Sequence, residues 1–318
     1  KKNKGVNFPG VALDMPSFTE QDVADLELAI DEGADWIALS FVRSPYDKEA
    51  VDAILKDKGV DLPVMAKIEK WEALEHLDEI INTFDGVMVA RGDLGVEIPQ
   101  EQVPLVQKKI IALANKAGKP VVIATQLLET MVESPTPTRA EVSDIANAIF
   151  DGTDALLVTG ETAIGKFPEK VIDVLSRVIL ETEKTINFDK IHQPISHQQH
   201  TADAISHATC QIANDMDIGI ILTLTHSGST ARMIARYKPS ADIIALTPVE
   251  KTYRQLSIIW GVTPNMIDQY SNSDDIPNVS SEFIGKNHLL DKGERYVVTG
   301  GVPVGVSGTT NYLFVQKA

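Results

Sequence analysis

The chain has 318 residues, a net charge of −16 and a single cysteine, Cys210. That length buries a core large enough for two domains, while the acidic balance argues against nucleic acid and anionic membrane as partners, which need a basic footprint. One cysteine excludes an internal disulfide framework, and no apolar run is long enough to span a bilayer, so a soluble cytoplasmic protein is expected.

The basic opening Lys1 to Lys4 is followed by Gly5 to Pro9, not by the apolar stretch of a signal peptide. The apolar spacing predicts a first helix over Glu20 to Glu32, with Gly33 as its cap. Strands follow at Trp36 to Val42, Val64 to Ile68, Gly86 to Val89, Val121 to Ala124 and Ala155 to Val158. Each leads into an amphipathic helix: Asp47 to Lys56, Trp71 to Asn82, Val103 to Ala117, Arg139 to Phe150 and Pro168 to Glu183. Alternating strands and helices imply a parallel sheet, either a (β/α) barrel or an open doubly wound sheet.

The polar residues choose between these. Ser40 and Arg43, Lys67 and Glu69, Arg91 and Asp93, Thr125 and Gln126, and Thr159 and Glu161 all fall at strand carboxyl ends. An open sheet concentrates its site at one switch point, whereas five strands with polar groups at one end resemble the top of a barrel. The fold expected is α/β, a partial (β/α)8 barrel with five βα units over residues 1–187. A polar linker over 188–200 and a C-terminal α/β domain over 201–318 complete it. His192, His197 and His200 belong to that linker and lack a nearby carboxylate or thiol, so they read as solvated residues, not as a metal site.

In the second domain the pattern predicts a helix over Ala202 to Asp215, a strand over Ile218 to Thr223, and a helix over Thr230 to Tyr237. A strand over Ile243 to Leu246 and a helix over Glu250 to Ile259 come next. Three more strands follow, at Val262 to Ile267, Tyr296 to Thr299 and Tyr312 to Val315, the last at a sheet edge.

Lys67 and Glu69 have the same parity on their strand and point to one side of it. On an exposed sheet they would be a solvated pair. Among Val64, Ala66 and Ile68 the strand is buried, where unpaired charge is costly, and a functional site is the better reading. Glu69 and Asp93, ending neighbouring strands beside Lys67, can share one hard divalent cation, Mg²⁺ or Mn²⁺. A lysine beside such an ion suits phosphoryl transfer or enolate chemistry. Asp93 is alternatively a helix N-cap, and the two roles can coexist.

Gly160 to Phe167 approaches the P-loop pattern but has Phe167 where a P-loop needs a hydroxyl for Mg²⁺, and Glu161 inside it would repel phosphate; a nucleoside-triphosphatase is rejected. Thr225-His226-Ser227-Gly228-Ser229-Thr230, between a strand and a helix, is either a phosphate cradle or an ordinary capped turn. Gly305 to Asn311 is a second loop able to close over the same ligand.

These segments together resemble pyruvate kinase. Lys4 to Gly10, Ser40 to Arg43, Lys67 to Glu69 and Ala90 to Glu97 carry the likeness. So do Ala124 to Glu129, Pro137 to Glu141, Gly160 to Ala163, Ser227-Gly228 and Ala235 to Tyr237, in order along the chain. The resemblance implies transfer of phosphate from phosphoenolpyruvate to ADP, giving pyruvate and ATP, in a homotetramer. It assigns Lys67 to the transferring phosphoryl group and the developing enolate, and Glu69 and Asp93 to the divalent cation. Gly92 and Asp93 contact the substrate carboxylate. Thr125 binds substrate and helps deliver the proton, while Arg91, Gln126, Thr159 and Glu161 complete the substrate set. Thr225, Ser227, Gly228 and Thr230 match a loop for a phosphorylated effector, and His226 and Ser229 are expected in the same site. Thr159 stands where the family often has Ser, and Ser229 where it often has a basic residue.

The family's first barrel strands, a substrate-binding arginine, the K⁺ ligands and a small lid domain have no counterpart here. The chain therefore reads as a fragment of a longer enzyme, expected to be inactive alone. Two rival readings are a metal-dependent lyase or aldolase acting on pyruvate enolates, and a non-catalytic truncated binding paralogue.

Overall fold

A computed structural model describes residues 18–186, 200–270, 272–306 and 308–318. The chain divides into two compact units, Lys1–Ile186 and Asn187–Ala318. The Lys4 to Gly10 segment, Ser307 and the expected linker up to Gln199 lie outside the described residues.

In the first unit, helix α1 (Glu20–Asp31) precedes five strands: β1 (Ile37–Leu39), β2 (Val64–Ile68), β3 (Gly86–Ala90), β4 (Val121–Ala124) and β5 (Ala155–Leu157). All neighbours are parallel and the spatial order is β1-β2-β3-β4-β5. An order that never reverses is that of a barrel wall, since right-handed crossovers always stepping the same way keep the helices on one side. Those helices are α2 (Lys48–Asp57), α3 (Trp71–Glu75), α4 (Leu77–Thr83), α5 (Arg91–Glu97), α6 (Val103–Ala117), α7 (Arg139–Asp151), α8 (Gly160–Ala163) and α9 (Pro168–Glu183).

Strand alternation decides which residues meet the helices. Val64, Ala66, Ile68, Val87, Val89, Val121 and Ile123 form one core with helix residues such as Leu55, Ile80, Ile110, Ile145 and Val171. Met65, Lys67, Met88, Ala90, Val122 and Ala124 are the alternate set and lie on the opposite face. Lys67 pairs in register with Met88, so its ammonium leaves the sheet on the side away from the helices.

The amino ends of the strands carry a repeated clip. Asp85 donates its amide to Val64 O at 2.9 Å and accepts the Val64 amide on Oδ2 at 2.9 Å. Asp154 does the same to Val121, at 2.9 Å both ways. Each clip satisfies a first-strand amide that would otherwise be orphaned.

Two expectations are corrected here. The helix expected over Trp71 to Asn82 is two helices, broken at His76. Asp93, read as an alternative helix N-cap, instead lies inside α5, whose N-cap is Ala90.

In the second unit the sheet order is β10-β9-β6-β7-β8, from β6 (Ile220–Leu224), β7 (Asp242–Thr247), β8 (Val262–Met266), β9 (Arg295–Gly301) and β10 (Thr310–Lys317). Only β10 is antiparallel. Ile221 and Val297 pack on one face with α10 (Thr201–Asp215) and α11 (Ser229–Ala235). Leu222, Leu224, Tyr296 and Val298 pack on the other with Ile276 and Ile284 of α13 (Ile276–Lys286). Between them in sequence lies α12 (Glu250–Gln255). Helices on both faces make this an open, doubly wound sheet. The sequence reading had no helix at 276–286.

Candidate functional site

The first-unit site is built from the carboxyl ends of β1 to β5. Lys67 Nζ donates to Ser40 Oγ at 2.8 Å and pairs with Glu69 Oε1 at 2.6 Å. Glu69 is 2 % exposed, and its other oxygen accepts the Phe41 amide at 2.8 Å. Phe41 makes that contact from a left-handed backbone, φ 56°, and is itself half-exposed. The end of β1 therefore folds over the end of β2 and orients both of its charged groups.

At the end of β4, Thr125 and Gln126 are both left-handed, φ 69° and 54°. Two successive non-glycine residues in this region cost on the order of 1–3 kcal/mol each and persist only where surroundings enforce them. Thr125 Oγ1 accepts the Gly92 amide at 2.7 Å. A Cβ on Gly92 would stand 3.3 Å from that hydroxyl, so glycine keeps the approach open.

Arg91, expected to face substrate, is 8 % exposed and turned beneath the site. Its Nη2 donates to Thr125 O at 2.8 Å and Gln126 O at 3.1 Å, and Nη1 to Asp144 Oδ2 at 2.5 Å. Glu161, also expected in the substrate set, is 2 % exposed. It accepts the Leu128 amide at 3.1 Å and the Thr159 amide at 3.0 Å, bracing the ends of β4 and β5 from within. Asp93, Gln126 and Thr159 are exposed. The Asp93 side chain makes no hydrogen bond or ion pair with another described residue, and its amide lies in the first turn of α5, where amides lack helical partners.

Among the described residues no group of three or more His, Cys, Asp or Glu side chains is placed to hold a metal ion. The expected ligands Glu69 and Asp93 are two carboxylates, within the one or two that Mg²⁺ usually takes from a protein. An ionised carboxylate offers about four lone-pair positions, and Glu69 uses two of them on Lys67 and Phe41, so acceptor capacity remains. Sequence reasoning missed Phe41 and Asp144; no motif announces a main-chain amide or a brace that acts through another residue.

In the second unit, β6 has β7 on one side and β9 on the other, so the loops leaving β6 and β9 meet at the topological switch point. A pocket there is lined by Thr225, Ser227, Ser229 and Thr230 from the first loop and Gly305 and Thr309 from the second, with Tyr270 beside them. Gly228 is left-handed, φ 75°, and a Cβ there would meet Leu256 at 2.9 Å. Thr230 is buried and its hydroxyl shares a 2.8 Å hydrogen bond with that of Thr310. The His226 carbonyl accepts from Thr252 Oγ1 at 2.6 Å, and the His226 ring lies 5.7 Å from that of Tyr270. The loop is thus fastened at both ends around a central stretch, Ser227 to Ser229.

A barrel-type wall with a lysine–carboxylate pair, a second carboxylate and a hydroxyl at strand carboxyl ends defines a class: α/β enzymes that stabilise oxyanions. Comparison with known proteins narrows it. Residues 1–172 match the family described as "Pyruvate kinase, barrel domain", and residues 203–316 match "Pyruvate kinase, alpha/beta domain". The chain belongs to the pyruvate kinase family. It is 44% identical to a "Pyruvate kinase" of Clostridium acetobutylicum over 317 residues, 99% of this chain and 67% of that protein. Over 317 residues it is 46% identical to a "Pyruvate kinase" of Sporosarcina psychrophila, covering 54% of it. With "Pyruvate kinase 2" of Synechocystis the identity is 44% and the coverage of that protein 53%. The chain thus spans between about half and two thirds of the length of these relatives.

Proposed function

We propose that this chain supplies part of the catalytic centre, and the regulatory domain, of an enzyme moving phosphate from phosphoenolpyruvate to ADP. The observation that carries the reading is Lys67, held between Ser40 and Glu69 with its side chain partly open, while an exposed Asp93 follows the neighbouring strand β3. Preorganised positive charge is worth most where negative charge develops, and here that is the transferring phosphoryl group and the enolate left behind.

Glu69 and Asp93 would hold Mg²⁺ or Mn²⁺, which when bound supplies Lewis-acid neutralisation of phosphoryl and enolate oxygens. The amide of Asp93 is the donor available to the substrate carboxylate, because that of Gly92 is given to Thr125. Thr125 accepts that hydrogen bond, which leaves its own hydroxyl proton free to be passed to the enolate carbon. Gln126 and Thr159, exposed at the ends of β4 and β5, complete the substrate surface, whereas Arg91 and Glu161 act from below it. A K⁺ requirement belongs to the same reading, with ligands outside this chain.

The switch-point pocket of the second unit would bind a phosphorylated metabolite through Thr225 to Thr230, the middle of the loop making the contacts. A cytoplasmic homotetramer is the assembly this reading carries; among the described residues no helix is long and apolar enough to cross a membrane.

The test is an assay of the full-length protein with phosphoenolpyruvate, ADP and Mg²⁺, alongside residues 1–318 alone. Turnover by the former and none by the latter is expected. Enolate cleavage without ATP formation would favour the lyase reading, and effector binding without turnover the binding paralogue.

A further inference from the structure

We propose that Arg91 is a positioning residue for proton delivery, acting through Thr125 and not on substrate; this rests on the role given to Thr125 above. Arg91 lies on the first turn of α5, one residue before the Gly92 amide that holds the Thr125 hydroxyl. The same guanidinium holds the Thr125 and Gln126 carbonyls, with Nε adding a 3.3 Å contact to Thr125 O. One side chain therefore fixes the peptide units on both sides of Gln126, in the two residues whose left-handed backbone is least stable by itself.

The fork geometry matters. A guanidinium presents several donors in one plane and can serve two carbonyls and a carboxylate at once, which an ammonium on a flexible stem does poorly. Asp144 Oδ2, on α7, anchors the opposite edge of the fork at 2.5 Å. Released from it, Thr125 and Gln126 would relax toward ordinary backbone, and the Thr125 hydroxyl would swing off the Gly92 amide. Strand ends β3 and β4 would then no longer present one rigid amide–hydroxyl unit. No ligand is required to explain the burial of Arg91, whose guanidinium is engaged by Thr125, Gln126 and Asp144.

The experiment uses the full-length protein and the variants Arg91→Lys, Asp144→Asn, Thr125→Ala and Arg91→Lys/Thr125→Ala. It measures turnover, exchange of pyruvate methyl protons with deuterated solvent, and Mn²⁺ affinity. Arg91→Lys should slow methyl-proton exchange roughly 10- to 100-fold while Mn²⁺ affinity stays within about threefold, as expected for a sub-ångström misplacement of one reacting group. Asp144→Asn should slow it in the same direction by less, and it carries the test if Arg91→Lys does not fold. Arg91→Lys should add little once Thr125 is Ala, because two residues acting through one group are not additive. If Thr125→Ala loses exchange and Arg91→Lys or Asp144→Asn keeps it in full, the proposal is overturned. Losses that multiply in the double variant overturn it too. Undiminished exchange in Thr125→Ala would instead remove the assigned role of Thr125.

Discussion

Lys70 Nζ stands 2.5 Å from Glu97 Oε1, so the residue after one candidate metal ligand is tied to the residue one turn beyond the other. The Glu97 side chain is 2 % exposed, which makes this an interior strut between the end of β2 and the end of α5. It ties the segment that follows Glu69 to the helix that carries Asp93. Lys70→Met and Glu97→Gln should each weaken Mn²⁺ binding roughly tenfold, the effect of losing an outer-shell partner. Paramagnetic titration of both variants checks it; unchanged affinity in both would show that the ligands are spaced by the backbone alone.

The carboxylates themselves should matter more. Glu69→Gln and Asp93→Asn should each reduce divalent-cation affinity at least tenfold, about 1.4 kcal/mol, with the far-ultraviolet spectrum unchanged. Gln is preferred at position 69 because Ser40 still partners Lys67 and the Phe41 amide keeps an acceptor. Wild-type affinity in both variants would reject the site.

Lys67→Met should separate rate from binding. Turnover should fall on the order of 10²–10³-fold, the worth of one preorganised charge at a developing oxyanion. Metal affinity should not fall, since Lys67 repels the cation and its loss frees Glu69 Oε1. A variant with full turnover takes Lys67 out of the mechanism.

For the second unit the informative substitution is Ser229→Glu. Thr230 is buried against Thr310, so altering it would disturb the fold; Ser229 lines the pocket without that bond. Calorimetry with sugar monophosphates and with AMP should detect heat with the parent and none with Ser229→Glu, and bound effector should raise substrate affinity by the same factor as substrate raises effector affinity. Equal binding by the two proteins would point to an ordinary capped turn.

Glu141 gives a stability prediction with a defined sign. Although burial pushes its carboxyl upward, hydrogen bonds from Thr130 and Thr138 outweigh this and hold it below the usual carboxylate value. It accepts the amides and hydroxyls of both residues, capping α7 and fastening the turn after β4. A depressed carboxylate contributes stability that is complete above its unfolded value and is lost as pH falls through the lower folded one. Glu141→Gln keeps a neutral acceptor at the third helical position and should cost no more than about 1 kcal/mol at neutral pH, the difference between a charged and a neutral acceptor at an exposed site, and the gap from the parent should shrink in acid. Urea unfolding at neutral and acidic pH measures both; a pH-independent gap would be contrary.

The strands were legible because parallel, doubly buried strands are written as short β-branched runs: Val121-Val122-Ile123-Ala124 admits little else. Lys67 and Glu69 were legible because charge is out of place at the end of such a run. Helix α13 was not, although Ile276, Ser280 and Ile284 form its buried stripe, because Pro277, two serines and Gly285 read as turn residues. Nor could sequence show that Arg91 and Glu161 point inward. A charged residue at a strand end is written the same way whether it meets a ligand or two backbone groups of its own chain, and only partners decide. The left-handed backbone of Thr125 and Gln126 left no trace at all, since neither is glycine.

The two sheet orders also dictate when each unit can be completed as the polypeptide leaves the ribosome. In the first, every strand pairs with the one just before it, so β1 to β5 can be laid down one after another as synthesis proceeds. The second has no such schedule: Ile221 of β6 pairs with Val297 of β9, and β9 is then covered by β10, which is made later still. Until those strands emerge, β6 has an unpaired flank rich in isoleucine and leucine, a template for pairing with another chain. Slow translation through residues 225–295 should therefore lengthen the dependence of this protein on chaperones, whereas slowing within the first unit should not.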